Sequence, residues 1–495
     1  MGIVFRQSIK TSIVTFTGAL LGAITMYLGM RLIPEQEWGF RNNLNNQAVV
    51  AGQVFLLGLH NTLSVYIHKY NYQDARRPAL ITISFLMPFL AIAAVSVLFF
   101  LFKEPVIGLF REHDEPFIRK FYYLVPLNTF FLSLVYLFEQ YLISELKVAK
   151  ATFNREIVLR VLNLLLILMF AAGYIGFDGF IVGTVLAFLI PIAIAWRFST
   201  QTEGFQLSLN WKVFSKEERR KLVDFSWYHS LINIQGNLMG FLDALMLPVL
   251  APQGLATVAV YMGAVLIASF LQIPYRAMQN ATFPILAQAF RDENKEKISD
   301  VFRRSSMNIL VASLGVFVLI ACNIEKLTLS LPPSYEALTG LFFILSIGRL
   351  FDMATGMNDH VLSISNLYRY NFYFSLFLLL MLFGLNWFLI PLYGVYGAAW
   401  GSSIAALLFN GLKYFIVKKK LQLEPFSANS LKVLLAAVVA FIPGYWMPTI
   451  VNLYLDLIIR SLIISGIYLS LLLLFRPSPD LNTFVRTAIR NRRLF

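Results

Sequence analysis

The 495-residue chain holds a single cysteine, Cys322. One thiol in an apolar run makes neither a disulfide framework nor a thiolate metal cluster, so an inert core position is expected for it. Charge is scarce: charged residues make up 14% of the chain, hydrophobic ones 58%, and mean hydropathy is +0.67. A soluble globule could not keep that much apolar surface out of water. No G-x-x-x-x-G-K-[ST] run occurs, which excludes ATP hydrolysis by a P-loop of this chain and leaves a gradient or a partner as the energy source. Large connectors are missing too. The segments at about 198–223 and 279–305 read as charged helix-like links (Ser215 to Lys221, Arg291 to Arg304), and the longest segment on the other side runs from about Lys103 to Lys120. None of these reads as a folded catalytic domain. Met1 to Gln7 leads into an apolar run with no small-residue cleavage site, so the first span is expected to stay in place, and Gln7 stands where a myristoylation motif has Ser or Thr.

What the chain has in abundance is apolar length. A hydrocarbon core of about 30 Å takes about 20 apolar residues per helix. Such runs occur at about 9–33, 47–67, 78–102, 121–143, 155–174, 178–197, 224–249, 256–278, 306–324, 339–363, 371–391, 395–416, 431–448 and 457–475. The expected fold is an all-α polytopic membrane protein of about 14 transmembrane helices. With residue 1 in the cytoplasm, only seven Lys and Arg fall in outside segments: Arg31, Arg41, Lys103, Arg111, Arg119, Lys120 and Lys326. Arg349 and Arg460 lie within spans, and the rest of the 41 lie inside. This is the positive-inside pattern and predicts two cytoplasmic termini. The net charge of +14 is then mainly a topology signal, with some attraction to anionic membrane lipids, and no nucleic-acid partner is expected.

The spans repeat at an offset of 218 residues. Gly18 and Gly22 in the first recur as Gly236 and Gly240 in the seventh; Gly176, Gly179 and Gly183 recur as Gly394, Gly397 and Gly401 before the twelfth. Six spans per lobe is an even number, so the lobes are parallel, related by a pseudo-two-fold along the membrane normal, with a substrate path expected at their interface. The same glycines also serve close helix approach. The expected organisation is an N-lobe at 1–198, a cytoplasmic linker at 199–223, a C-lobe at 224–420, spans 13 and 14 at 421–476 and a basic cytoplasmic tail at 477–495.

Ionisable groups inside spans are costly and are the candidates for function. Asp243 stands in the seventh span with Asn233 and Asn237 upstream. The tenth carries Arg349, Asp352, Asn358, Asp359 and His360, with Arg349 and Asp352 three residues apart and Asp359 two turns further on one face. Gln53, His60 and Asn61 lie in the second span, Glu139 in the fourth, Arg160 in the fifth, Arg276 in the eighth, and Lys10 opens the first. Plainer roles compete with these. Lys10, Arg160 and Arg276 could be interfacial anchors with snorkelling side chains, His60 a satisfied core residue, and Arg349 with Asp352 a neutral pair holding helices together.

Several segments carry a resemblance: Gly2-Ile3-Val4 and Arg6-Gln7-Ser8-Ile9-Lys10 into the first span, Pro34-Glu35-Gln36-Glu37-Trp38-Gly39 after it, Asp243 late in the seventh, Pro274-Tyr275-Arg276 with Pro284 at the eighth, and Tyr393-Gly394-Val395-Tyr396-Gly397-Ala398-Ala399 before the twelfth. In that order the chain resembles the Wzx-type polysaccharide flippases of the multidrug/oligosaccharidyl-lipid/polysaccharide (MOP) exporter superfamily, over essentially its whole length. The resemblance implies a MATE-like V of two lobes in the bacterial cytoplasmic (inner) membrane. It implies a transporter, not an enzyme, that carries an oligosaccharide on undecaprenyl pyrophosphate to the outer leaflet for envelope glycans such as the O-antigen of lipopolysaccharide. Other polysaccharide-assembly proteins are its candidate partners. The pyrophosphate needs fixed positive charge, for which Arg276 and Arg349 come first and Lys10 and Arg160 second; Gln53, His60 and Asn237 are the remaining substrate-binding candidates. Asp243 matches the family's seventh-span carboxylate by position, and Asp352 and Asp359 are further candidates for a coupling sodium or proton; no other cofactor or metal is expected. A cation-coupled multidrug exporter of the same superfamily is the alternative, although many of those have an acidic residue in the first span and none lies between Lys10 and Arg31 here. A membrane enzyme acting on lipid-linked sugars would have to rest on the Asp359/His360 neighbourhood.

Overall fold

The computed structural model describes residues 3–448, 452–480 and 482–483, and side chains there except those of 3–12, 280, 281, 368 and 372. Among the described residues it contains helices and no strand. In chain order these are α1 (Ile3–Leu32), α2 (Glu35–Phe55), α3 (Leu59–Tyr66), α4 (Arg76–Leu101), α5 (Lys103–Ile107), α6 (Glu115–Phe121), α7 (Leu124–Ser144), α8 (Val148–Phe153), α9 (Leu159–Ala171), α10 (Phe177–Leu186), α11 (Leu189–Thr200), α12 (Lys216–Leu250) and α13 (Leu255–Ser269). They continue as α14 (Ile273–Arg291), α15 (Lys295–Leu329), α16 (Ala337–Thr355), α17 (Asn358–Ile364), α18 (Tyr368–Tyr393), α19 (Val395–Leu421), α20 (Ala428–Trp446) and α21 (Leu453–Phe475).

All fourteen apolar runs fall on helix. Among the described residues ten helices are long and apolar enough to cross a membrane, and the number reaches 12 if each of two bent pairs is one span: α2 with the helical stretch to Lys69, bent by 56°, and α6 with α7, bent by 58°. The runs at 155–174 and 224–249 lie on α9 and α12 and do not add to these. Arg155, Glu156 and Arg160 interrupt the first, and Asn233, Asn237 and Asp243 the second. The first bend has a local cause. Leu57 and Gly58 adopt positive φ, and a side chain on Gly58 would run into the Ser226 carbonyl of α12. Gly356, also at positive φ, breaks the expected span 339–363 into α16 and α17, with Ser306 filling the space its Cβ would need.

The chain forms two compact units, Met1–Ala259 and Val260–Phe495, with the change falling inside α13. The 199–223 stretch, expected as a linker between lobes, lies within the first unit. Its Phe214 is buried and packs edge-on against Tyr70. α12 follows from a capping box in which Ser215 Oγ accepts from Glu218 N–H and Glu218 accepts from Ser215 N–H, at 3.2 and 2.8 Å. It then packs on α3 through a Thr62–Ser226 hydroxyl contact of 2.5 Å and the Tyr66–Phe225 rings. Arg77 fixes the turn before α4: it pairs with Glu145, donates to the carbonyls of Ile67 and Tyr70, and lies over the Tyr72 ring. In the second unit α15, α20 and α21 share a core that contains Leu314, Val318, Ala440 and Ile464, with Cys322 buried in it as expected. A second core joins Phe302, Met353, Val361 and Val417.

Candidate functional site

In the first unit α8 passes into α9 through a π-helical turn, Asn154–Val158. Such wide turns are costly and occur often at functional sites. Arg155 and Glu156 lie in it, facing α7 and α1. Arg155 bonds Glu139 at 2.7 Å and Glu156 at 3.1 Å; Arg160 bonds Glu156 at 2.6 Å and donates to the Gly18 carbonyl. Glycines make room for this. A Cβ on Gly18 would lie 2.7 Å from that of Glu156, and one on Gly22 would meet the Arg160 guanidinium. The helix-approach reading of these glycines therefore holds, with a charged pair, not an apolar face, pressed on the bare backbone.

Beyond them opens a cavity of about 350 Å³, lined by Arg41, Arg155, Arg160 and Glu156 with Trp38, Asn45, Tyr136 and Asn163 among others. Arg41 donates to Asn163 Oδ1 at 2.7 Å, and its guanidinium lies 5.1 Å from the centre of Trp38. The guanidiniums are not fully consumed by their partners: the side chains of Arg155 and Arg160 keep 43% and 33% of their exposure. Three cations are answered by two carboxylates here, and one oxygen of buried Glu139 has no partner among the described residues. The arrangement can bind an anionic group, with amide, phenol and indole surfaces beside it.

Of the residues singled out from sequence, Arg160 lies in this cavity. His60 is elsewhere in the first unit, its Nε2 3.2 Å from Asn233 Nδ2, while Asn237 donates to the Asn233 carbonyl one turn away. Gln53 is buried on α2 and Asp243 on α12, six residues beyond Asn237 and so about 9 Å further along the axis. The Lys10 side chain lies outside the described residues, as do residues 484–495 of the basic tail. Arg41 and Arg155 were not singled out. Arg41 lies on α2 ahead of the expected second span 47–67, and the Arg155-Glu156 dipeptide one turn before Arg160 was the available signal.

The second unit holds the other candidates. Arg276 on α14 is exposed, with no hydrogen bond or ion pair to another described residue. Arg349 donates to Gln272 at 3.0 Å. Asp352 has Lys413, Asp359 and Arg349 as its charged neighbours. Asp359 bonds the Lys413 ammonium at 2.8 Å, and His360 packs on Tyr275 and Phe283. Lys413, 1% exposed, was missed because it sits a turn before the basic run Lys418 to Lys420 and reads as part of it. The expected coupling carboxylates thus divide, Asp243 in the first unit and Asp352 with Asp359 in the second. Among the described residues no group of three His, Cys, Asp or Glu side chains is placed to hold a metal ion.

Among charges outside the spans, Arg76 bridges Asp74 at 2.7 Å and Glu218 at 2.8 Å. The Ser215 backbone N–H holds the Glu218 carboxyl below its usual range, and hydrogen bonds from Arg76 do the same for Asp74.

A many-helix membrane fold of this kind is found in solved structures. An inward-facing multidrug resistance MATE family transporter of the MOP superfamily matches with a TM-score of 0.65 and 16% identity, over 84% of this chain and 98% of that one. Lipid II flippase MurJ in an inward closed conformation matches with a TM-score of 0.73 and 14% identity, over 94% of this chain and 98% of that one. A mutant of the Vibrio cholerae MATE transporter VcmN matches at 0.53 and 17%, over 85% and 98%. The fold is that of MOP-superfamily membrane transporters. Residues 4–290, more than half of the chain, match the family model described as polysaccharide biosynthesis protein, and the chain belongs to that family. No curated protein matches it.

Proposed function

We propose that the protein is a flippase of the bacterial inner membrane, which moves an oligosaccharide linked to a polyprenyl pyrophosphate such as undecaprenyl pyrophosphate from the cytoplasmic to the outer leaflet by alternating access, both termini being cytoplasmic. Membership of the polysaccharide biosynthesis family supports the substrate class. The observation that carries the reading is the arginine-lined cavity of the first unit. Guanidiniums bind phosphate oxygens in bidentate fashion and remain charged at any physiological pH. The indole, amide and phenol groups beside them suit a sugar, and about 350 Å³ falls in the range of small-ligand cavities. A cationic drug would meet three guanidiniums there, which weighs against the multidrug exporter. The Asp359/His360 neighbourhood, on which an enzymatic reading would rest, is taken up by Lys413 and by packing on Tyr275 and Phe283. The coupling ion, sodium or a proton, we assign first to Asp243, a carboxylate buried on α12, and next to Asp352 and Asp359.

The test uses proteoliposomes with a fluorescent polyprenyl-pyrophosphate oligosaccharide and a membrane-impermeant quencher. Wild type should accelerate translocation, Arg155→Ala and Arg160→Ala should lower it at least 10-fold at equal protein abundance, and Arg160→Lys should recover part. With gradients imposed, Asp243→Asn should keep binding and lose gradient dependence. No acceleration by wild type, together with movement of a cationic dye, would decide for the exporter.

A further inference from the structure

In the second unit two carboxylates, Asp352 and Asp359, are answered by two cations, Arg349 and Lys413. The cations differ in kind. Arg349 is a planar fork that also holds Gln272, whereas the Lys413 ammonium is a compact point charge on a flexible stem. It is buried, 2.8 Å from Asp359 Oδ1 and 3.9 Å from the centre of the Phe409 ring, and it acts on Asp352 as well. Asn410, one turn before Lys413 on α19, and Asn358, beside Asp359, are 3% and 2% exposed, and their amide oxygens have no partner among the described residues. Carboxylate and amide oxygens are the donors a hard cation takes. Here a cation is already present, and it is covalently attached.

We propose that Lys413 is a tethered counter-cation. Its ammonium takes the place of an exchangeable metal cation at the Asp359 cluster, so this cluster binds no sodium in the native protein and acquires a sodium site when Lys413 is shortened. With Lys413 present the four charges cancel. Without it one negative charge remains at the partly exposed Asp359, on helices that also carry two buried amide oxygens without partners among the described residues, and a monovalent ion of the size of sodium restores neutrality. The inference is independent of the flippase reading, since its test reads stability and not transport.

The experiment follows thermal unfolding of the purified full chain by tryptophan fluorescence while sodium replaces choline at constant ionic strength. Wild type should show no sodium response that Asp359→Asn removes, any response from the Asp243 site being common to every variant and subtracted from each. Lys413→Ala should melt several degrees lower in choline and recover as sodium rises, because a ligand that binds only the folded state stabilises it in proportion to its occupancy. Lys413→Met, which loses the charge but fills the space, should melt lower and ignore sodium, and adding Asp359→Asn to Lys413→Ala should abolish the response. If Lys413→Ala does not accumulate, Lys413→Ser, whose hydroxyl can itself ligate the ion, is the second variant. A sodium-specific stabilisation of wild type that disappears in Asp359→Asn would overturn the proposal, as would a folded Lys413→Ala or Lys413→Ser indifferent to sodium.

Discussion

Gly18, Gly22, Gly236 and Gly240 look equivalent in sequence, and the structure separates them sharply enough for a quantitative test. Replacing any of them with Ala gains about 0.5–1 kcal/mol of helix propensity. That gain is all there is at Gly236 and Gly240, where an added Cβ meets nothing within 4 Å. At Gly18 the methyl would press on the Cβ of Glu156 at 2.7 Å and its backbone carbonyl at 3.0 Å, atoms that move only with the π-helical turn, and overpacking of this kind costs about 1–3 kcal/mol. Propensity is common to both variants, so Gly18→Ala and Gly236→Ala should differ by about 1–3 kcal/mol, or roughly 1–3 °C in apparent melting temperature at one scan rate for a chain of this length. Gly22 is different again. Its Cβ would meet the guanidinium of Arg160, the far end of a flexible side chain, so Gly22→Ala should melt near wild type yet move Arg160 off its partners and slow translocation. Differential scanning fluorimetry of the four variants with the flipping assay reads both effects. Gly18→Ala as stable as Gly236→Ala would refute the reasoning, since it would mean that α1 does not press on Glu156.

Arg460 is 1% exposed, bonds Asp456 at 3.1 Å and donates to the carbonyls of Gly444, Met447 and Pro448 at the end of α20. Arg460→Ala should cost about 3–5 kcal/mol by leaving Asp456 buried without its counter-charge; size-exclusion chromatography should show loss of monodisperse protein, partly restored when Asp456→Ala is added. The Asp74–Arg76–Glu218 bridge should depend on pH. Both carboxyls titrate below their usual values when folded, so their contribution is present above the unfolded values and is lost as pH falls through the folded ones. Amide protection at Ser215 to Arg219 should therefore be constant from about pH 5 to 8 and fall below about pH 4; protection unchanged at pH 3 would show that the bridge does not hold the start of α12.

The helices were legible because apolar length is a local property: every one of the fourteen runs falls on helix, and the two that do not count as spans, on α9 and α12, are interrupted by Arg155, Glu156 and Arg160 and by Asn233, Asn237 and Asp243. Breaks inside spans were less legible. Gly356 lies within an apolar run, and only the position of Ser306 from a distant helix shows why the chain turns there. The candidate site was half readable. Arg160 was singled out for being charged at membrane depth, but its partners Glu156, Glu139 and Gly18 come from three helices, and pairing across helices leaves no mark in a single sequence. Lys413 shows the converse: a lysine a turn from a basic run looks like an interfacial anchor, and its burial against Asp359 is decided by the packing of α19 on α16 and α17.

Charge balance then distinguishes the two clusters. In the first unit Arg41, Arg155 and Arg160 stand against Glu139 and Glu156, which leaves one positive charge in excess around a cavity. An excess of charge held in a partly desolvated cavity is costly unless something compensates it, and an anionic ligand would do so while it is bound. Glu139 and Glu156 occupy the same guanidiniums that a pyrophosphate would need. A ligand of weaker charge, such as a carboxylate or a phosphate diester, would gain little by displacing them, whereas a pyrophosphate offers more charge and more oxygens than either carboxylate. In the second unit the balance is two against two, with no excess for a ligand to compensate. Glu156→Gln should therefore relax selectivity at the first cluster, narrowing the gap between inorganic pyrophosphate and monophosphate binding by about 10-fold, the equivalent of one charge-assisted hydrogen bond. Isothermal titration of both anions against wild type and variant measures this, and an unchanged ratio would mean that the carboxylates hold the helices together without competing for the site.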